Sequence, residues 1–390
     1  MTPRSSPSTR RTVLVLSIRS TRILLVFRFS PVAVVLVRVM LVCVTLIACG
    51  PTRGDLESDN PVRPNTPPPF GMEEFFKDVP HQPVPTRVRL GRWLFFDKRL
   101  SADGSVSCAT CHRPEFAFSE QTPVSTGVGG RHGTRKAPSI VNLAARTILP
   151  DVPEDRDQTF FWDGRVSSLE HQVLVPIADR NEMGLDHQSL VDRLSAMQGY
   201  RPYFREAFGS DDVTRERVAS ALSEYVRTRM SGNAPYDRWS YAGEGGAMSA
   251  EAKRGSEIFF FSGRCAVCHA GFNFSDGRFH NLGVGWNEAS RSFKDEGRFA
   301  VSHNPRDRGA FKTPGLREVS KHAPYMHDGS LATLRDVVEF YNRGGAANPN
   351  LSGRIRPIGL APADVDALVA FLKTLDGEGY QDHPPRFFPR

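Results

Sequence analysis

Cys108-Ala109-Thr110-Cys111-His112 and Cys265-Ala266-Val267-Cys268-His269 are the two stretches on which the reading of this chain turns. Six cysteines in one chain suggest three disulfides. Yet Cys43 and Cys49 fall in or at the end of an N-terminal apolar segment, and the other four occur only as these two CxxCH pairs. A zinc ribbon brings its CxxC pairs within roughly 15–20 residues, whereas these stand about 150 apart. A thioredoxin-like dithiol needs neither a second copy nor a His after each second Cys. Covalent c-type haem attachment accounts for every residue: two thiols add to the two vinyl groups, and the adjacent imidazole ligates the iron. His112 and His269 are therefore the expected proximal ligands of two haems, held by Cys108, Cys111, Cys265 and Cys268.

The surroundings of the two motifs echo each other. Arg89-Leu90-Gly91-Arg92-Trp93-Leu94-Phe95-Phe96 precedes the first and Lys253-Arg254-Gly255-Ser256-Glu257-Ile258-Phe259-Phe260 the second. Both read as amphipathic helices feeding an attachment loop, the second with Ser249 as N-cap. Val365, Leu368, Val369 and Leu372 recur at i, i+3, i+4, i+7 after Pro362, which predicts a terminal helix packed across the motif helix. The expected fold is mainly α, with two cytochrome c-like helical domains, each carrying one covalently bound haem. The boundaries read as an export signal over 1–48, a Pro-rich tether over 49–85, a first haem domain over 86–244, a second over 245–380, and a tail over 381–390.

Length and composition fit that organisation: 390 residues, 24% charged and 39% hydrophobic, exclude wholesale disorder and a polytopic membrane protein. The net charge of +7 invites a nucleic-acid reading. Residues 1–48, however, carry Arg4, Arg10, Arg11, Arg19, Arg22, Arg28 and Arg38 with no acidic side chain, and these account for the whole excess. The chain from position 49 onward is formally neutral, so no nucleic-acid partner is expected. A basic and then apolar N-terminus is the layout of an export signal. Its end, Leu46-Ile47-Ala48-Cys49-Gly50, resembles a bacterial lipoprotein cleavage box, which implies a lipid on Cys49 and a periplasm-facing, membrane-anchored protein. An uncleaved anchor is the alternative, but Arg38 leaves little unbroken apolar length.

Beyond the two motifs, linked segments resemble the bacterial di-haem cytochrome c peroxidases and their relative MauG, from about Thr86 to Asp376. They include Asp97-Lys98-Arg99-Leu100-Ser101, Ala137-Pro138-Ser139, Phe161-Trp162-Asp163-Gly164-Arg165, Lys312-Thr313-Pro314-Gly315-Leu316-Arg317 and Ala323-Pro324-Tyr325-Met326-His327-Asp328-Gly329-Ser330. The resemblance implies a peroxidatic N-terminal haem and an electron-transfer C-terminal haem, with hydrogen peroxide as oxidant. Trp162, Gln172, Pro176 and Glu182 fall at offsets 0, 10, 14 and 20, as do the family's inter-haem Trp and distal-pocket Gln, Pro and Glu. Splitting peroxide heterolytically requires a proton to leave one oxygen and reach the other, so Glu182 is the expected acid–base. Gln172 would orient peroxide and Pro176 shape a pocket that it cannot ligate.

The same resemblance places Tyr341 where the peroxidases carry a Met ligand to the second haem and MauG a Tyr. An oxygen donor favours higher oxidation states of iron. That tilts the expectation toward oxidation of a protein or organic substrate. The alternatives are peroxide scavenging with a small redox-protein donor and a non-enzymatic di-haem electron carrier. Two readings stand for His132, 20 residues past His112: a removable distal ligand of the first haem, or an exposed loop residue. The family also binds calcium between the haems, through an Asn and through carbonyls that here would come from His322 and Pro324. The Asn position is Lys136, which cannot ligate a cation. Either calcium binds through backbone and water oxygens alone or the Lys charge replaces it, and the reading favours retention of the ion.

Overall fold

Two helix pairs, each built over a glycine, organise the molecule. The computed structural model describes residues 50–73, 82–143 and 159–390. The export signal, Cys49 and residues 74–81 of the Pro-rich stretch lie outside the described residues. In chain order the helices are α1 (Arg53–Asp59), α2 (Pro85–Phe96), α3 (Cys108–Cys111), α4 (Leu169–Ala178), α5 (His187–Ala196), α6 (Arg201–Phe208), α7 (Arg215–Arg227), α8 (Pro235–Ser240), α9 (Ala250–Phe260), α10 (Phe299–Ser302), α11 (Leu334–Asn342) and α12 (Pro362–Lys373). Strands are few: β1 (Phe279–Asn281) pairs antiparallel with β4 (Ala310–Lys312), and β2 (Trp286–Asn287) with β3 (Ser292–Phe293).

In the first half α2 starts with Pro at its first turn, where no N–H is needed, and packs along α7. A Cβ at Gly91 would lie 1.9 Å from the Ala221 carbonyl oxygen, so only glycine lets the two backbones come this close. The second half repeats the device. Ser249 accepts the Ala252 N–H at 3.1 Å to start α9, and a Cβ at Gly255 would lie 1.9 Å from the Ala367 oxygen of α12. The expected terminal helix is thus observed. Its buried face is Val365, Ala367, Leu368, Phe371 and Leu372, while Val369 sits at the edge of that core.

Each pair nucleates a core. One gathers Leu90, Trp93, Leu94, Phe95, Phe118 and Tyr225, the other Ile258, Phe259, Phe274, Val365, Leu368 and Phe371. Part of the Pro-rich tether and the tail pack on the first core. Leu56 of α1 is buried in the first core, and Phe387 and Phe388 of the C-terminal tail return to that same core. Among the described residues no helix is long and apolar enough to cross a membrane.

Candidate active site

The first CxxCH motif forms the single turn α3. Ser107 caps it, its own N–H going to Thr110 Oγ1 at 2.9 Å, and His112 N–H closes onto the Cys108 carbonyl at 2.9 Å. His112 Nδ1 lies 3.1 Å from the Phe118 carbonyl, and His269 Nδ1 lies 2.8 Å from the Phe274 carbonyl. A carbonyl only accepts, so each Nδ1 carries the proton and each Nε2 keeps its lone pair for a metal. Phe118 and Phe274 both sit in the left-handed region, at φ 55° and 54°, with rings almost wholly buried. That conformation costs a non-glycine residue about 1–3 kcal/mol and is held here by the packed ring while it turns the carbonyl toward the imidazole. Burial pushes both imidazoles below their ordinary pKa, which keeps them neutral. It pushes the Cys108, Cys111 and Cys265 thiols up to about 12, the opposite of a reactive redox pair. None of the four cysteines is in a disulfide. Paired thiols beside a neutral, oriented imidazole fit covalent haem at both motifs.

Glu182 is delivered to the first motif by a tight return. Gln172 and Pro176 share a face of α4 one turn apart. Past the C-terminus of α4, Met183 N–H reaches the Pro176 carbonyl at 3.1 Å and Glu182 N–H the Asp179 carbonyl at 3.0 Å. The chain folds back, and the Glu182 carboxylate comes close enough to Cys108 and Cys111 that its charge raises both thiols. Burial raises the Glu182 pKa to about 7, with Asp179 adding, Arg165 opposing and Glu120 adding again. The Gly-rich loop braces this return. Val128 N–H donates to the Glu182 carbonyl at 2.8 Å, and a Cβ at Gly127 would lie 2.3 Å from that same oxygen. His132, in the same loop, is exposed, and its Nδ1 lies 3.1 Å from Thr126 Oγ1.

The second motif opens on a cavity of about 970 Å³ lined by Cys265, Cys268, His269 and Tyr341. Tyr341 comes from the last turn of α11, and burial, then Cys268 and Cys265, drive its hydroxyl pKa well above the usual phenol value. Met326 lines the same cavity. So does Trp162, whose carbonyl accepts the Lys312 N–H of β4 at 2.8 Å and whose indole N–H donates to the Lys136 carbonyl at 2.9 Å. Trp162 is thereby fixed between the second-motif cavity and the segment leading away from the first motif.

The region of His322 and Pro324 also borders this cavity. His322 Nε2 is buried without a hydrogen-bond partner among the described residues. Burial first, then the charges of Lys136 and Lys321, lower its pKa to about 3. Further residues complete the zone, of which Glu120, Arg135 and Phe311 lie beyond the sequence reading. Glu120 is buried, accepting Ser125 Oγ–H at 2.6 Å and Ala137 N–H at 3.2 Å. His327 stacks on Phe311 with ring centroids 3.5 Å apart, and Arg135 bridges Asp163 and Asp295 at 2.6 Å each. A lone Glu or Phe in sequence carries no signal that would single it out.

The family model described as "Di-haem cytochrome c peroxidase" matches residues 85–245. The chain is 41% identical over 308 residues to the methylamine utilization protein MauG of Methylorubrum extorquens, covering 77% of this chain and 82% of that protein. It is 32% identical over 292 residues to the cytochrome c551 peroxidase of Nitrosomonas europaea, covering 75% and 80%. Among solved structures, a MauG-like protein associated with microbial copper homeostasis superposes with a TM-score of 0.70 at 30% identity, covering 82% of this chain and 96% of that one. The di-haem peroxidase BthA of Burkholderia thailandensis gives a TM-score of 0.64 at 25% identity, covering 78% and 89%.

Proposed function

Because the chain belongs to the bacterial di-haem cytochrome c peroxidase and MauG family, and is thus a haem peroxidase with two c-type haems, we propose that it uses hydrogen peroxide to oxidise a protein or organic substrate rather than a small cytochrome. Cys108, Cys111 and His112 would hold one haem, and Cys265, Cys268 and His269 the other, with Tyr341 as sixth ligand. When bound, the haems supply the iron that accepts oxidising equivalents from peroxide.

The protein's own part is proton handling and positioning. Glu182 takes a proton from the peroxide oxygen nearer the first site and returns it to the departing oxygen, so that water leaves. Its pKa of about 7 lets one carboxyl do both near neutral pH. Gln172 orients the peroxide, Pro176 closes the pocket with a non-ligating side chain, and Trp162 is the aromatic step between the sites. Exposed and hydrogen-bonded to Thr126, His132 supports an open first site.

The observation that carries the substrate assignment is Tyr341, buried in the same cavity as Cys265, Cys268 and His269. EPR of the ferric holoprotein tests it. One high-spin and one low-spin signal, with peroxide reactivity before any reduction, is the expected result. Two low-spin signals and a need for prior reduction would favour the scavenging peroxidase with a small redox donor. A pure electron carrier would leave Gln172 and Glu182 without a role. Export and a lipid on Cys49, facing the periplasm, complete the proposal on the strength of Leu46-Ile47-Ala48-Cys49. Globomycin-sensitive incorporation of labelled palmitate would support it.

A further inference from the structure

Lys136 is 4% exposed, and its ammonium donates to the Glu120 carbonyl. Its backbone is fixed on both sides, the N–H to the His327 carbonyl at 2.8 Å and the carbonyl to the Trp162 indole at 2.9 Å. The residue borders the cavity of the second motif together with Cys268, His269 and His322. Burial lowers the Lys136 pKa to about 8, against the pull of Glu120, so the group stays largely cationic at pH 7.

The calcium that the family implies here does not fit these residues. Calcium asks for six to eight oxygen ligands at about 2.3–2.6 Å. The expected side-chain oxygen is replaced by an ammonium, and the buried carboxylate near it, Glu120, already accepts Ser125 Oγ–H and Ala137 N–H at one of its two oxygens. A divalent ion brought beside an ammonium in a poorly solvated region would be strongly repelled.

We infer that the Lys136 ammonium is the resident cation of the region between the two haem sites, standing in place of calcium, while its carbonyl fixes the Trp162 indole. Lys136 is a positioning residue whose charge acts on both sites. The inference rests on the two-haem assignment but not on the identity of the oxidised substrate.

The test uses the holoprotein after passage over a chelating resin. Elemental analysis and calorimetric titration with calcium chloride should find no stoichiometric calcium, and chelator should leave the EPR spectrum unchanged. One calcium per chain, lost to chelator with a changed spectrum, would overturn the inference. In Lys136→Met, removal of a positive charge should move the midpoint potentials of the haems to more negative values, and Lys136→Arg should keep them near wild type. Unmoved potentials in a folded Lys136→Met protein would overturn the electrostatic role. Should that variant fail to fold, the wild-type calcium measurement decides alone. Failure of the two-haem assignment is separately visible, as a missing haem in the absorption spectrum before calcium is added.

Discussion

A carboxyl that titrates near neutrality is an unusual object, and Glu182 becomes one through its surroundings. Burial dominates, Asp179 and Glu120 add repulsion, and Arg165 only partly offsets them. Two consequences follow. The proton acceptor is the carboxylate, so the rate of reaction with peroxide should rise with pH through about 7. Glu182→Gln should lower that rate by about 10²–10⁴-fold and flatten the profile, as read by stopped-flow absorbance. On stability the sign is the reverse: a raised carboxyl pKa favours the folded state at low pH, and this is lost as pH rises through about 7. Glu182→Gln should therefore unfold at higher denaturant than wild type above pH 7 but not at pH 5. Tyr341 offers a second residue-level check: Tyr341→Met should raise the potential of the second haem, measured by spectroelectrochemistry. The two attachment motifs were legible because CxxCH is contiguous and its chemistry is written locally, whereas Gln172, Pro176 and Glu182 were singled out only by their resemblance to the family's spacing. Glu120 and the left-handed Phe118 and Phe274 were not legible, since their meaning lies in partners that only folding brings near.

At the scale of elements, the two motif helices owe their placement to the glycines under them. Replacing Gly91 or Gly255 by Ala improves intrinsic helix propensity by about 1 kcal/mol. It also drives a methyl to within 1.9 Å of a carbonyl oxygen on the crossing helix, at Ala221 or Ala367 respectively. Backbone cannot yield as a flexible side chain does, so the packing cost wins. Each substitution should destabilise its own half by about 1–3 kcal/mol, seen as a lower denaturation midpoint and reduced haem incorporation at the adjacent motif. Helices α2, α9 and α12 were readable from apolar period, cap and proline. Helix α7 has an equally good period in Val218, Ala221, Leu222 and Tyr225, all buried, but no neighbouring motif declares it the partner of α2. Its role appears only where Gly91 meets Ala221.

At the scale of the whole molecule, the last ten residues strap the second half back onto the first core. Trp93 Nε1–H donates to the Phe387 carbonyl at 3.0 Å, and Arg99 reaches the Pro389 carbonyl at 2.7 Å. At the centre Asp382, 5% exposed, takes Arg92 at 2.9 Å, Arg229 at 3.3 Å and the Tyr225 hydroxyl at 2.9 Å. Burial alone would raise its pKa, but the hydrogen bond from Arg92, the charges of Arg229 and Arg92 and the His383 N–H together hold it below the usual carboxylate range. A depressed carboxyl pKa adds stability that is present above the unfolded value, near 4, and is lost as pH falls through the native one. Removing that carboxylate leaves Arg92 and Arg229, both half-buried, without their shared counter-charge, a loss of up to about 3 kcal/mol. Asp382→Asn should therefore lower the denaturation midpoint of the first core at pH 7 and weaken the acid dependence of wild type below about pH 4. Deleting residues 381–390 should reproduce the loss at pH 7. The second core, whose α9–α12 crossing touches none of these groups, should keep its haem spectrum through the first transition, so the two halves would separate in one denaturant titration followed in the Soret band.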